Sequence, residues 1–206
     1  MQGQSSQRNP EPVDADSVSL SRLFLEARSI QRFRDVAISD ETLARAHALA
    51  RLGPTGFNSQ PVRYVFVRSL QAKLRLGAAL SEKNREKLLG APLSVIIAWD
   101  SRFYEHLPRV FPTRDVRALF EQNPALVQSS GKLNATLQAG YFLVALRAVG
   151  LDVGPMTGFK QELVDAEFFA DGRFNTLLLA NLGYGDRSGL AERLPRFEFD
   201  EVARID

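Results

Sequence analysis

Residues 93–99, Leu-Ser-Val-Ile-Ile-Ala-Trp, form a continuous apolar run near the middle of this chain of 206 residues. A run of this kind is typical of a strand buried on both faces, so it predicts the central strand of a sheet. Residues 62–68, VRYVFVR, alternate between apolar and polar side chains and predict a second strand. Residues 175–182, NTLLLANL, predict a third. The pattern leaves the order of the strands open.

Helical signals surround these three strands. Residues 18–27 carry apolar side chains at helical spacing, and Ser39 followed by two acidic residues predicts the start of a second helix. Residues 69–89 predict two short helices, residues 132–149 predict the longest helix, and residues 160–168 predict a further one. Three strands among about six helices indicate an α+β or α/β domain.

The remaining segments are predicted to be loops or arms. Residues 55–61 have loop chemistry, and residues 101–130, interrupted by prolines, suggest a mobile excursion over a site. Residues 154–159 predict a stiff loop, and the tail from Leu190 predicts an extended arm. Residues 1–17 are polar and predict a disordered segment, which leaves residues 18–206 as a single domain.

Charge and composition exclude several classes of function. The chain has 26 basic and 24 acidic residues, a net charge of +2 and no dense basic run, which does not favour a nucleic-acid partner. It has no Cys and only two His, His47 and His106, so a thiolate nucleophile is excluded and no metal site is expected. No apolar run approaches the length of a membrane span, and the first residues lack a secretory signal. We therefore expect a cytoplasmic protein with no membrane partner.

The sequence contains neither a Walker-type phosphate loop nor a nucleophile elbow, which fits an enzyme whose cofactor carries the chemistry. Three segments stand out instead. In residues 27–33, ARSIQRF, Arg and Ser side chains offer donors to a phosphate. In residues 53–61, GPTGFNSQP, amides offer contacts to the edge of a heterocycle, and the glycines of residues 154–159 let the backbone approach a flat ligand. The alternatives are a solvated arginine loop, a helix-to-strand turn and a tight connection.

Taken together, in this order and spacing, these segments resemble the nitroreductase family of FMN enzymes. The resemblance runs from about residue 18 to the C-terminus, and its most specific parts are Asn58-Ser59-Gln60-Pro61 and the segment 154–159. Residues 99–108, WDSRFYEHLP, residues 165–169, DAEFF, and residues 181–186, NLGYGD, are similar to the malonic semialdehyde reductase branch, which serves pyrimidine degradation.

The family resemblance implies a fold, an assembly and a reaction. The fold is an α+β sandwich with a mostly antiparallel sheet flanked by helices. The assembly is an interlocked homodimer with FMN in the interface and a C-terminal arm over the partner subunit. The reaction is a ping-pong exchange in which NADH or NADPH gives a hydride to flavin N5 and a small acceptor then receives it. No ribose-recognition motif applies, so the choice between NADH and NADPH stays open.

The resemblance also assigns flavin contacts to individual residues. Those within one subunit are Arg28, Ser29, Gln31, Asn84, Lys87, Pro155, Met156, Thr157, Gly158 and Arg193. Those from the partner subunit correspond to Thr55, Asn58 and Asn134. Arg28 and Arg193 would hold the phosphate, Lys87 would stabilise negative charge on the ring, and the backbone of Thr157 and Gly158 would lie near N5. This chain departs from the family pattern at Ala27 and Gln31, where many members have basic residues, and at Thr157, where an acid is frequent.

The proposed acceptor, malonic semialdehyde, carries a carboxylate and therefore needs a cation while it is reduced to 3-hydroxypropionate. Arg63, Arg102 and His106 are the candidates, and Arg102 leads because it follows the predicted central strand and its planar fork suits a carboxylate. Two alternatives stay open. A broad nitro or quinone reductase needs only an open apolar cleft, and a flavin-binding protein without turnover would have a blocked nicotinamide face.

Overall fold

The structure is a computed structural model that describes residues 20–206, so the disorder predicted for residues 1–17 lies outside the described part of the chain. One antiparallel sheet of four strands, in the order β1-β2-β4-β3, organises the fold. Its strands are β1 (Val62–Val67), β2 (Leu93–Asp100), β3 (Asp152–Met156) and β4 (Phe174–Gly183). The sheet and its helices form the predicted α+β domain.

Strand β2 is the centre of the sheet, as its apolar run predicts. All of its residues are buried, and it lies between β1 and β4. The register with β1 runs from Val62 opposite Trp99 to Val67 opposite Ser94. A strand with neighbours on both edges and helices on both faces can be apolar throughout, because neither face meets water.

Strand β3 corrects the prediction of a loop at residues 154–159. Gly154, Pro155 and Met156 pair with β4, Pro155 lying opposite Ala180, so the sheet has four strands where three were predicted. Gly-Pro is a turn signal, but proline is tolerated in a strand at the edge of a sheet, and among the named strands β3 pairs only with β4.

The helices follow the capping signals closely at most positions. Ser39 Oγ accepts a hydrogen bond from the Thr42 backbone N–H at 3.1 Å, as an N-cap does. A single π-helical turn, Ser21–Leu25, precedes the helices. They are α1 (Asp40–Ala50), α2 (Leu70–Gly77), α3 (Glu82–Leu89), α4 (Leu107–Val110), α5 (Arg117–Glu121), α6 (Pro124–Ala148), α7 (Gln161–Phe168) and α8 (Phe199–Val202).

Helix α6 starts eight residues before the predicted position. Pro124 is its first residue rather than a break, because the first helical position needs no backbone donor. The side chain of Asn123 accepts a hydrogen bond from the Leu126 backbone N–H at 3.0 Å and caps the helix. The segment 101–123 is not a loose excursion, since it buries a cluster of its own formed by Phe103, Leu107, Val116 and Phe120.

Helices cover both faces of the sheet. Val95 and Ile97 of β2 pack with side chains of α1 and α6, whereas Ile96 and Ala98 pack with side chains of α2, α3 and α7. Because successive side chains of a strand point to opposite faces, one strand contributes to both cores. The tail after Leu190 is exposed, and one helical turn, α8, interrupts the predicted extended arm. None of the helices within residues 20–206 has the length and apolarity needed to cross a membrane.

Candidate functional site

The segment that contains Arg28 and Ser29 lies along the outer edge of β3. Ser29 forms a parallel bridge with Val153, and the Ile30 backbone N–H donates to the Val153 carbonyl at 2.9 Å. A Cβ atom on Gly154 would lie only 2.2 Å from the Ile30 carbonyl oxygen, so this approach requires glycine. The first and third segments singled out in the sequence are therefore neighbours.

The turn after β3 leaves backbone groups open to a ligand. Thr157 and Gly158 are exposed, and Asn84 Nδ2 of α3 donates to the Gly158 carbonyl at 3.1 Å. The Met156 side chain is buried and lies 3.9 Å from Asn181 Nδ2, so it faces the core. Asn84 thus lies beside the exposed turn, and any ligand contact of Met156 falls to its backbone.

A cavity of about 540 Å³, here called the α3 cavity, is lined by side chains of α3, the helix that also carries Asn84. Its lining includes Gln31, Phe33 and Lys87. Lys87 makes no salt bridge with any residue in the described range 20–206. The structure therefore brings the predicted Gln31 and Lys87 together at a cavity whose size suits a small-molecule ligand.

The side chains of Arg28 and Arg193 lie where the C-terminal tail crosses residues 24–28. Arg28 Nη2 donates to the Ala191 carbonyl at 2.6 Å, and Arg193 Nη2 donates to the carbonyls of Leu25 and Ala27 at 2.7 and 2.8 Å. Within residues 20–206 neither arginine has a carboxylate partner. Two guanidinium groups with spare donors and uncompensated charge are suited to a phosphate.

Thr55, Asn58 and Asn134 form a second group. The Gly56 backbone N–H donates to Asn134 Oδ1 at 2.7 Å, Asn58 Nδ2 donates to the Val110 carbonyl at 2.7 Å, and Thr55 Oγ1 accepts from the Gln60 backbone N–H at 3.3 Å. Within residues 20–206, no hydrogen bond joins this group to the residues around the α3 cavity. Within one chain, the predicted flavin contacts are therefore divided into two sets.

The loop that carries the second group has an unusual backbone. Phe57, Asn58 and Gln60 all have positive φ, at 55°, 49° and 43°. A left-handed conformation is uncommon for residues other than glycine and is a clear outlier for a bulky residue such as Phe57. Such strain persists only where surrounding contacts impose it, and it is concentrated at functional sites.

Two of the three cations proposed for a substrate carboxylate share a second cavity. Arg63 and His106 line a space of about 560 Å³ beside strand β1, here called the β1 cavity. Arg102 is not among its lining residues, and its side chain is exposed while its backbone N–H donates to Asp100 Oδ1 at 2.9 Å. Phe103, which follows Arg102, is fully buried.

Asp100 is a buried carboxylate that the sequence analysis missed. It follows directly after the apolar run, and its side chain is 1% exposed. Arg63 Nη2 lies 2.7 Å from Asp100 Oδ2, and Arg173 binds both carboxylate oxygens at 2.8 and 3.0 Å. Burial lowers the pKa of Arg63 from its ordinary value, and the neighbouring Asp100 opposes that shift. The Arg63 guanidinium group is thus already bound by Asp100 and by the carbonyls of Gln60 and Val62.

Comparison with known proteins identifies the family. The family model described as "Nitroreductase family" matches residues 25–184. A protein of Burkholderia lata named NADH dehydrogenase/NAD(P)H nitroreductase is 47% identical over 188 residues, which are 91% of this chain and 96% of the relative.

Solved structures share the fold at lower identity. A nitroreductase from Exiguobacterium sibiricum in complex with FMN is 19% identical, with a TM-score of 0.81 over 92% of this chain and 98% of that one. An NAD(P)H:FMN oxidoreductase from Staphylococcus epidermidis is also 19% identical, with a TM-score of 0.81 over 96% and 99%. The family model covers most of the chain and the Burkholderia relative nearly all of it, and the chain therefore belongs to the nitroreductase family.

Proposed function

We propose that this chain is an FMN-dependent oxidoreductase that uses NADH or NADPH and works as a homodimer. The observation that carries the proposal is the backbone pairing of Ser29 and Ile30 with Val153, which puts the Arg28–Gln31 segment along β3, the strand that leads into the exposed turn at Thr157 and Gly158. The names of the Burkholderia and Staphylococcus proteins, which include NAD(P)H, support a nicotinamide donor.

The residues around the α3 cavity fit the chemistry of FMN. Arg28 and Arg193 would hold the phosphate, because both lack a carboxylate partner within residues 20–206 and have donors to spare. Asn84, Lys87 and Gln31 would bind the polar edge of the ring. Ser29, Pro155, Met156, Thr157 and Gly158 would provide backbone or side-chain contacts to the cofactor. When bound, FMN supplies a carrier that takes a hydride from the nicotinamide and passes it to an acceptor.

The protein contributes charge and orientation at this cavity. Lys87 lines the cavity, and a charge-assisted hydrogen bond from its side chain to a ligand would contribute about 1.5–3 kcal/mol. Thr157 and Gly158 follow directly after β3, and the hydrogen bond from Asn84 to the Gly158 carbonyl restrains this turn. A fixed donor loses little entropy when it binds a ligand, so the turn is suited to orienting one.

A homodimer would complete the site. Within residues 20–206, the second group, Thr55, Asn58 and Asn134, forms no hydrogen bond with the first, so in this proposal it serves the cavity of the partner. An exposed apolar row on α6, Leu133, Leu137 and Tyr141, supports a covered face, because the three residues are four positions apart on one side of the helix. The tail adds further exposed apolar side chains, namely Leu194, Phe197, Phe199, Val202 and Ile205.

For the acceptor we propose malonic semialdehyde, reduced to 3-hydroxypropionate in the cytoplasm as part of pyrimidine degradation. The support is the branch resemblance and the presence of Arg63, Arg102 and His106 near one end of β2. A broad nitro or quinone reductase is the second candidate, and the name of the Burkholderia relative favours it. A flavin-binding protein without turnover is the third.

Anaerobic reduction and reoxidation of the purified chain distinguishes these proposals. We expect a yellow dimer with one FMN per chain, bleached by NADH or NADPH and recoloured by malonic semialdehyde faster than by a nitroaromatic or a quinone. Recolouring by the nitroaromatic and quinone alone would favour the broad reductase. Bound FMN that neither nicotinamide bleaches would favour the non-catalytic protein, and a chain that binds no added FMN would overturn the whole proposal.

A further inference from the structure

The β1 cavity is lined by cationic side chains and contains no acid. Arg51, Arg63 and Arg109 face it together with both histidines of the chain, His47 and His106. No Asp or Glu is among its lining residues. A concave site with charge of one sign raises the local concentration of ligands of the opposite sign.

Part of this charge is neutralised behind the cavity wall, and part is not. Arg63 and Arg173 carry two positive charges that Asp100 and Glu105 balance, through contacts of 2.7 Å from Arg63 to Asp100 and 3.1 Å from Arg173 to Glu105. Arg51 and Arg109, by contrast, form no ion pair within the described residues 20–206. The cavity therefore faces two cations that the protein leaves uncompensated.

Ser59 provides an independent observation at the same place. It lines the cavity, is 3% exposed, and its Oγ is the single buried side-chain polar atom in the described part of the chain that lacks a hydrogen-bond partner. A buried hydroxyl without a partner is destabilising, so its presence calls for a physical explanation. A ligand that accepts a hydrogen bond here would remove that cost.

We propose that the β1 cavity is a carboxylate-binding site, in which Arg51 and Arg109 supply the charge and Ser59 Oγ donates a hydrogen bond. The guanidinium groups are suited to the two oxygens of a carboxylate. The β1 cavity shares no lining residue with the α3 cavity of the same chain, so malonate binding can be measured separately from flavin binding at the α3 cavity.

Two sources of carboxylate match this chemistry. One is a small free organic acid. The other is the exposed tail of a second copy, which carries Glu198, Asp200 and Glu201. Both sources would bind through the same contacts. They can be distinguished by neutralising the acidic residues of the tail, which should change the affinity for a free acid only if the tail competes for the site.

Isothermal titration of the purified full-length protein with malonate, and with the uncharged malonamide, tests the proposal. We expect malonate to bind and malonamide not to bind. Arg109→Gln should raise the dissociation constant for malonate about two- to fivefold, because Arg109 is exposed and solvent weakens its bond to a carboxylate. Ser59→Ala should raise it about 2- to 12-fold. Arg114→Gln, which removes an exposed arginine five residues further on, is the matched control and should change nothing.

A tail variant with Glu198→Gln, Asp200→Asn and Glu201→Gln identifies the source. Tighter malonate binding in this variant would show that the tail competes for the site. Unchanged binding would show that a free acid is the ligand. The proposal is overturned if malonate binds to neither the natural chain nor the tail variant. It is also overturned if Arg109→Gln and Ser59→Ala bind malonate as well as Arg114→Gln does while all three keep the same thermal unfolding midpoint.

Discussion

The α3 cavity and the β1 cavity are similar in volume, about 540 and 560 Å³, but they differ in how their charges are arranged. The α3 cavity sets Arg32, Lys83 and Lys87 against the acids Glu86 and Asp186. The β1 cavity has three arginines and no acid. The number of cations alone therefore does not identify a ligand site. The balance of charge distinguishes a cavity for a mixed polar ligand from one for an anion.

The two cavities also differ in what supports them. Next to the α3 cavity, the Arg28–Gln31 segment is held by backbone pairing, from Ile30 to Val153. The wall of the β1 cavity is held by an ionic cluster around Asp100. Removing a charge from the Asp100 cluster should therefore disturb the wall of the β1 cavity. Adding a side-chain atom where the backbones of Ile30 and β3 approach each other should disturb the Arg28–Gln31 segment.

The largest expected effect is on the β1 side. Asp100→Asn leaves Arg63 and Arg173 facing each other without the buried carboxylate, which should lower the free energy of unfolding by about 3–5 kcal/mol. Urea unfolding measures it. Asp171→Asn, which changes an exposed carboxylate three residues before β4, is the control and should cost less than about 1 kcal/mol. Equal losses in the two variants would show that the Asp100 cluster is not a support.

On the α3 side, Arg28→Ala should weaken FMN binding by about 10- to 150-fold, because a charge-assisted bond to the phosphate contributes about 1.5–3 kcal/mol. Riboflavin, which has no phosphate, should bind with nearly the same affinity to both proteins. Fluorescence titration with the two flavins gives the comparison. If the affinities for both flavins fall by the same factor, Arg28 acts through its bond to the tail carbonyl of Ala191.

Gly154→Ala tests the backbone support directly. The new Cβ would meet the Ile30 carbonyl at 2.2 Å, so the segment must move, with an expected loss of about 1–3 kcal/mol in the free energy of unfolding and weaker FMN binding. Gly90→Ala is the matched control, because Gly90 lines the α3 cavity and a Cβ atom there would meet only the Glu86 carbonyl, at 3.4 Å. Loss of FMN binding in the control alone would contradict the role of the Ile30–Val153 pairing.

The smallest effect is expected at Arg102, because its side chain is exposed and solvent weakens its interaction with a carboxylate. Arg102→Leu should lower kcat/KM for malonic semialdehyde about two- to fivefold and leave quinone reduction unchanged. Steady-state kinetics with both acceptors measure this. A parallel fall in both activities would make Arg102 structural, and no fall in either would direct the same comparison to Arg63 and His106.

Local signals in the sequence predicted much of the fold. The cap at Ser39 and the buried strand β2 follow from residues within a few positions of one another. Strand β3 could not be predicted in this way, because Gly154-Pro155 is a turn signal and only pairing with β4, about 25 residues away, makes it a strand. Partners outside a sequence window decide such cases.

The candidate site shows the same division. The family resemblance named Gln31 and Lys87, and the structure brings them to one cavity. It could not reveal the cluster of Asp100 with Arg173, which is 73 residues away and has no motif. Ser59 was quoted within a motif, but its unpaired hydroxyl is a property of burial, which no pattern of residue types shows.

The backbone of Ser29 and Ile30 pairs with the outer edge of β3 at Val153. It occupies the outer edge of β3, where a Cβ on Gly154 would not fit. At the opposite side, β1 pairs only with β2 among the strands of residues 20–206. An uncovered edge is a template for another chain, whereas a covered edge is not. Within residues 20–206, the edge of β3 beside Val153 is therefore less open to a strand of another chain than the edge of β1 is.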